Sequence, residues 1–219
     1  MLVRSFGLND FIFLLESLRW TLVLTVIALT LGGIAGLFIA LARVSPLMPL
    51  RLATAAYIQI IQGSPVLMIL FLSYYGLSLI GFQLPALVAA SISMSIYVSG
   101  YLGDIWRGCI EAVPKPQWEA SECLGMTRVQ QFRHIILPQA LRIALPPTTG
   151  FAVQVVKNTS ITSIIGFVEL SRAGQLINNS TFQPFRVFLT VAAIYFVICY
   201  PLSRLSGWLE RKLNVGSSH

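Results

Sequence analysis

Charge is what this chain has least of. Only 11% of its 219 residues are Asp, Glu, Lys or Arg, where an ordinary soluble domain carries about 25%. Between Arg51 and Asp104 there is no charged side chain for 52 residues. A spanning helix needs about 20 apolar residues at about 1.5 Å rise each to cross roughly 30 Å of hydrocarbon. The uncharged run is therefore long enough for two crossings and a turn. Cysteine is also scarce: Cys109, Cys123 and Cys199 are odd in number and far apart. That excludes a disulfide framework and fits reduced thiols in cytosol or lipid. The two histidines, His134 and His219, supply neither a metal spacing nor a nucleophile–base–orienter set. No G-x-x-x-x-G-K-[ST] run is present to cradle the phosphates of ATP. No catalytic, cofactor-binding or metal residue is therefore expected, and collagen, disorder and nucleic-acid arms are excluded.

What is present is apolar, 56% of the chain. The first long uncharged run, Trp20 to Ala42, has 23 residues, more than the ~7–15 of a secretory signal, and no cleavage site follows it. The pattern predicts an all-α integral membrane protein, one transmembrane domain over 1–219, with five helices at about 17–42, 52–78, 86–106, 134–156 and 184–208. An amphipathic segment from Phe6 to Leu18 leads into span 1, where Gly32 and Gly36 have the small-xxx-small spacing of close helix packing, within the chain or at a dimer seam. Span 2 carries Gln62-Gly63-Ser64-Pro65, where proline removes a backbone donor, so it should kink or break there. Span 4 holds Pro138, Pro146, Pro147 and Arg142 and reads as an irregular helix lining something other than lipid. Beyond it, Glu169 to Gln183 reads as a polar loop. Pro184 is a good first residue for span 5.

Five spans place the termini on opposite sides. Of the Lys and Arg residues in the loops, nine lie on the side of the carboxyl end and five on the other. The positive-inside rule then predicts the N-terminus outside and the C-terminus in the cytoplasm. The polar stretch at about 108–133 falls inside the cell. Within it, Pro116 can begin a short helix, and Glu119 is expected in its first turn, where the helix dipole favours negative charge. Gly125 ends that helix, since glycine takes the left-handed conformation without strain. Thr127 and Gln130 have capping-box spacing and start a second helix. Such a corner, carrying Trp118, Ala120 and Leu124, suits docking into a partner's groove.

Glu119-Ala120-Ser121, then Gly125, Ile135 and Leu137-Pro138, resembles the EAA---G---------I-LP loop of permease subunits of binding-protein-dependent ATP-binding-cassette importers. Ser121 departs from the pattern, which has Ala there. Lys157-Asn158-Thr159-Ser160-Ile161, Val168-Glu169-Leu170 and Leu209-Glu210-Arg211 look like its polar amino acid branch, which also has five spans. The resemblance implies a type I importer permease fold with a cytoplasmic coupling-helix loop in the bacterial inner membrane. It implies ATPase coupling through Glu119, Ala120, Ser121, Leu124 and Gly125. The implied partners are a second permease, identical or homologous, two ATPase subunits that bind ATP and Mg, and a periplasmic amino-acid-binding protein.

Polar groups inside a membrane are functional candidates, which singles out Lys157, Asn158, Thr159, Ser160 and Glu169 after span 4, with Gln62, Ser64 and Gln154 behind them. Lys157 could meet a substrate carboxylate and Glu169 an ammonium, or both could be interfacial anchors. The rival reading is an ATP-independent carrier or channel, which would need charged relay residues within several spans. Spans 1 to 3 contain none before Asp104.

Overall fold

The computed structural model describes residues 4–214; His219 lies outside them. Among the described residues every regular element is helical. The chain runs through α1 (Leu8–Arg43), α2 (Met48–Gly63), α3 (Val66–Phe71), a π-helical turn and the short α4 (Leu77–Leu79). Then follow α5 (Ala86–Glu111), α6 (Lys115–Cys123), α7 (Arg128–Gln131), a second π-helical turn and α8 (Leu137–Asn158). A 3-10 segment (Thr159–Ile165) leads to α9 (Leu170–Thr181), and α10 (Pro184–Asn214) closes the chain. Three helices, α1, α5 and α10, are long and apolar enough to cross a membrane, and two bent pairs raise the number to five if each is one span.

Several boundaries differ from the sequence expectation. The amphipathic lead-in and span 1 form one helix of 36 residues, about 54 Å at 1.5 Å per residue. Helix α5 continues to Glu111 because Arg107 pairs with both Asp104 and Glu111, which neutralises the charges that seemed to end it. Helix α10 likewise extends six residues past 208, to Asn214.

The core is the seam between α1 and α5, the most extensive pairing in the molecule. A Cβ on Gly32 would sit 2.6 Å from Val98 Cβ, and one on Gly36 would sit 3.2 Å from the backbone nitrogen of Gly103. The small-residue spacing therefore serves packing inside the chain. Leu24, Ala28, Met94, Val98 and Leu102 fill the space around it.

The proline-bearing spans behave differently. At Gly63-Ser64-Pro65 the helix breaks outright, and α2 meets the following helix at 104°. Pro146 and Pro147 lie inside α8 without breaking it. Neighbouring helices brace that stretch: Ser206 of α10 donates to the Pro146 carbonyl at 2.9 Å, and Trp106 Nε1 of α5 donates to Thr148 Oγ1 at 2.9 Å.

The expected polar loop from Glu169 to Gln183 is instead α9. Leu170, Ala173, Gly174 and Ile177 bury one stripe of it, at the i, i+3, i+4, i+7 spacing of an amphipathic helix. That stripe packs on Leu14 of α1 and on Val187 and Val191 of α10.

Candidate functional site

The corner between α5 and α8 is built by local rules. Pro114 precedes α6, and Pro116 stands in its first turn. The helix ends in a paired closure: the Gly125 N–H donates to the Glu122 carbonyl at 2.9 Å and the Met126 N–H to the Ser121 carbonyl at 3.2 Å. Gly125 has φ +71°, which a side chain would strain. Thr127 then opens α7 reciprocally. Its N–H donates to Gln130 Oε1 at 2.9 Å, and the Gln130 N–H donates to Thr127 Oγ1 at 3.4 Å. Through the π-helical turn Phe132–Ile136, α7 runs directly into α8 with no intervening loop.

Two faces of the corner differ in burial. Ser121 is 2% exposed, and its hydroxyl donates to the Trp118 carbonyl at 2.7 Å. Trp118 is half-buried against Ile110, Val113, Ile136 and Ala140. Gln131, also buried, donates to the Met126 carbonyl at 3.2 Å. Trp118 therefore anchors the corner to its own chain with part of its ring, and the buried Ser121 is not available to a partner, contrary to the sequence expectation. Glu119 is a second correction. It is the fifth residue of α6, beyond the first turn, so it points outward and does not cap backbone donors. Glu119, Ala120, Leu124 and Gly125 are all exposed. Leu124 is 79% and Val129 76% exposed, an apolar pair that a partner would cover. The sequence reading missed Val129, although its place two residues after the Thr127 cap puts it on the first turn of α7.

The second candidate region, beyond α8, divides the same way. Lys157 is exposed at the edge of a cavity of about 310 Å³ between α8 and α10, lined also by Val153, Tyr195, Phe196 and Cys199. Gln154 is exposed and donates to Asn158 Oδ1 at 3.3 Å, while Ser160 donates to the Lys157 carbonyl at 2.7 Å. Thr159 is fully buried and donates to the Val156 carbonyl at 2.8 Å. Glu169 is fully buried as well. Its carboxylate caps α9, accepting from Ser171 N at 2.9 Å and Arg172 N at 2.8 Å, and it accepts from the Tyr195 hydroxyl at 2.9 Å. Thr159 and Glu169 are thus structural groups, with no face left for a substrate ammonium.

Gln62 and Ser64 sit elsewhere, at the break between α2 and α3. Gln62 is exposed, and its amide donates to Asp104 at 3.4 Å. Asp104 in turn receives the Arg107 guanidinium at 3.0 and 2.8 Å. The sequence reading used Asp104 only to end a span; the return of charge there, opposite a proline break, was the available signal. Among the described residues no group of three or more His, Cys, Asp or Glu side chains is arranged to hold a metal.

Residues 32–215 match the family described as the binding-protein-dependent transport system inner membrane component. The chain belongs to this family. It is similar to a probable amino-acid ABC transporter permease protein, YckA, of Bacillus subtilis, 35% identical over 94% of this chain and 91% of that one. The probable glutamine ABC transporter permease protein GlnM of the same organism is 34% identical over 94% and 95%. Its L-cystine transport system permease protein TcyB is 36% identical over 89% and 84%. Among solved structures, an amino acid ABC transporter with histidines superposes with a TM-score of 0.87 at 38% identity, covering 91% of this chain and 94% of that one. The MetNI methionine ABC transporter, at a TM-score of 0.70 and 18% identity over the same shares, supports the fold. The type I importer permease fold therefore holds for this permease. It is a multi-pass membrane component rather than an enzyme, and ATP hydrolysis lies in a separate subunit. The ATP-independent carrier reading falls with that membership.

Proposed function

We propose that this permease, paired with a second permease subunit, forms the pathway by which a polar amino acid crosses the bacterial inner membrane. Two ATPase subunits, which bind ATP and Mg, dock on the two corners, and a periplasmic amino-acid-binding protein delivers the substrate. The amino-acid assignment is supported by the names of relatives 34–36% identical over most of the chain. The coupling assignment rests on one observation above the others. Glu119, Ala120, Leu124 and Val129 are exposed on a corner whose inner side holds the buried Ser121 and Gln131 and packs Trp118 on the body. An outer face free to dock and an inner face joined to α8 is what transmission requires. For the pathway, the open candidates are Gln62, Ser64, Gln154, Lys157, Asn158 and Ser160, with Lys157 suited to a carboxylate.

The test is Glu119→Lys together with Leu124→Asp in the assembled complex. Both side chains are exposed, so insertion and melting should match the parent while ATPase retention falls by about 1–3 kcal/mol and uptake stops. Normal uptake with normal retention would make the corner a passive loop. The orientation, N-terminus periplasmic and C-terminus cytoplasmic, has its own check. Cys123 is exposed while Cys109 and Cys199 are buried, so an impermeant thiol reagent should label the protein from the cytoplasmic side only. Labelling of Cys123 from the periplasm would invert the topology.

A further inference from the structure

Where α1 ends, α2 begins and α5 ends, the molecule holds a cavity of about 430 Å³ lined by Arg43, Val44, Arg51, Ile110, Glu111 and Trp118. Its electrostatics are one-sided. Glu111, the one carboxylate in the lining, is already engaged by Arg107. Among the described residues, neither Arg43 nor Arg51 has a carboxylate within salt-bridge reach. Arg43 makes one long hydrogen bond, from Nη1 to the Arg51 carbonyl at 3.3 Å. Its Nε is buried without a partner, as is the hydroxyl of Ser45 two residues on. Two guanidinium groups on one cavity, one of them with an orphaned Nε, call for an anion with several oxygens, and guanidinium forks match phosphate geometry.

The surroundings say which anion. Leu47, Met48, Leu50 and Leu52, on either side of Arg51, are 62%, 63%, 42% and 59% exposed. Such a collar of uncovered apolar side chains beside a cation is suited to acyl chains rather than to water. The cavity also lies where two apolar helices, α1 and α5, end, which is the depth of lipid headgroups, and Trp118 belongs at that depth. We infer that this cavity binds the phosphodiester headgroup of an anionic phospholipid, clasped by Arg43 and Arg51 with its chains along Leu47–Leu52. Because Trp118 forms both a wall of the cavity and the anchor of α6, a bound headgroup braces the corner against α1 and α2. The inference needs only that these helix ends meet a membrane surface, so it stands or falls independently of the substrate and of the ATPase docking face.

The experiment is native mass spectrometry of the detergent-purified complex with added phosphatidylglycerol, phosphatidylcholine or inorganic phosphate. Phosphatidylglycerol should be retained in preference to phosphatidylcholine, and millimolar inorganic phosphate should fail to displace it. Arg43→Gln/Arg51→Gln should weaken retention about 25-fold, and Arg51→Gln alone, at an exposed position, about fivefold. Arg204→Gln/Arg211→Gln removes the same charge from the end of α10 and should leave retention unchanged. Equal retention of the two lipids, equal loss in the α10 control, or undiminished retention in both cavity variants overturns the site. Displacement by inorganic phosphate at matched concentration would identify a free-anion site instead. Loss of the ATPase subunits with lipid retention intact would mean that the arginines bind a partner protein.

Discussion

The corner at Lys115–Gln131 and the turn at Lys157–Leu170 are two places where polar side chains interrupt the apolar chain. Their side chains have opposite fates. At the corner Glu119, Ala120 and Leu124 stay exposed, while Ser121 and Gln131, which bond carbonyls within the corner, are buried. At the turn the residue most suggestive of chemistry, Glu169, is buried and fully engaged, and only Lys157, Gln154 and their neighbours remain open. In a membrane protein an exposed polar side chain is expensive unless water, substrate or a partner meets it. A buried one with all its hydrogen bonds made is part of the architecture. The contrast predicts that changes at the turn's buried groups damage the fold, whereas changes at the corner's exposed groups damage transport alone.

The largest effect on the fold should come from Glu169→Ala. It removes a helix cap, leaves two backbone donors without that acceptor and takes from the Tyr195 hydroxyl one of its two partners, a loss of roughly 2–4 kcal/mol. The melting temperature of the purified complex in detergent should fall clearly, with uptake declining only in proportion to surviving protein. Wild-type melting combined with abolished uptake would return Glu169 to the pathway and erase the contrast.

Gly125→Val should cost the fold less, about 1–2 kcal/mol for a branched side chain at φ +71°, yet cost transport far more. The space around Gly125 is open, so the strain is confined to the bend between α6 and α7. ATPase stimulation by the loaded binding protein is the measurement, and a normal response would mean that the angle of the corner does not matter. The smallest effect on the fold is expected from Lys157→Gln. Its side chain is exposed and makes no ion pair among the described residues, so melting should stay put while uptake falls severalfold. Uptake equal to the parent would leave Lys157 as an interfacial anchor.

The features legible in the sequence are those set by a few adjacent residues. Gly125 at φ +71° and the Thr127–Gln130 cap were readable because each depends on hydrogen bonds within five residues. The break at Pro65 was readable for the same reason, since proline acts on its own turn. Helix α9 was hidden because its polar face outweighs its composition, although its apolar stripe was present in the spacing. Local sequence marks Pro65, which follows Gly63 and Ser64 and breaks a span, but not what keeps Pro146 and Pro147 within α8; the hydroxyl that meets the Pro146 carbonyl belongs to Ser206, 60 residues away. The membrane class, the positions of the caps and the composition of the corner were thus settled by the sequence itself. Which polar side chains are free was decided by tertiary packing. The Leu170 N–H at the cap of α9 finds Thr21, 149 residues earlier, and Glu169 finds Tyr195, 26 residues later. Burial is a property of what arrives from far along the chain, and a window of local sequence does not contain it.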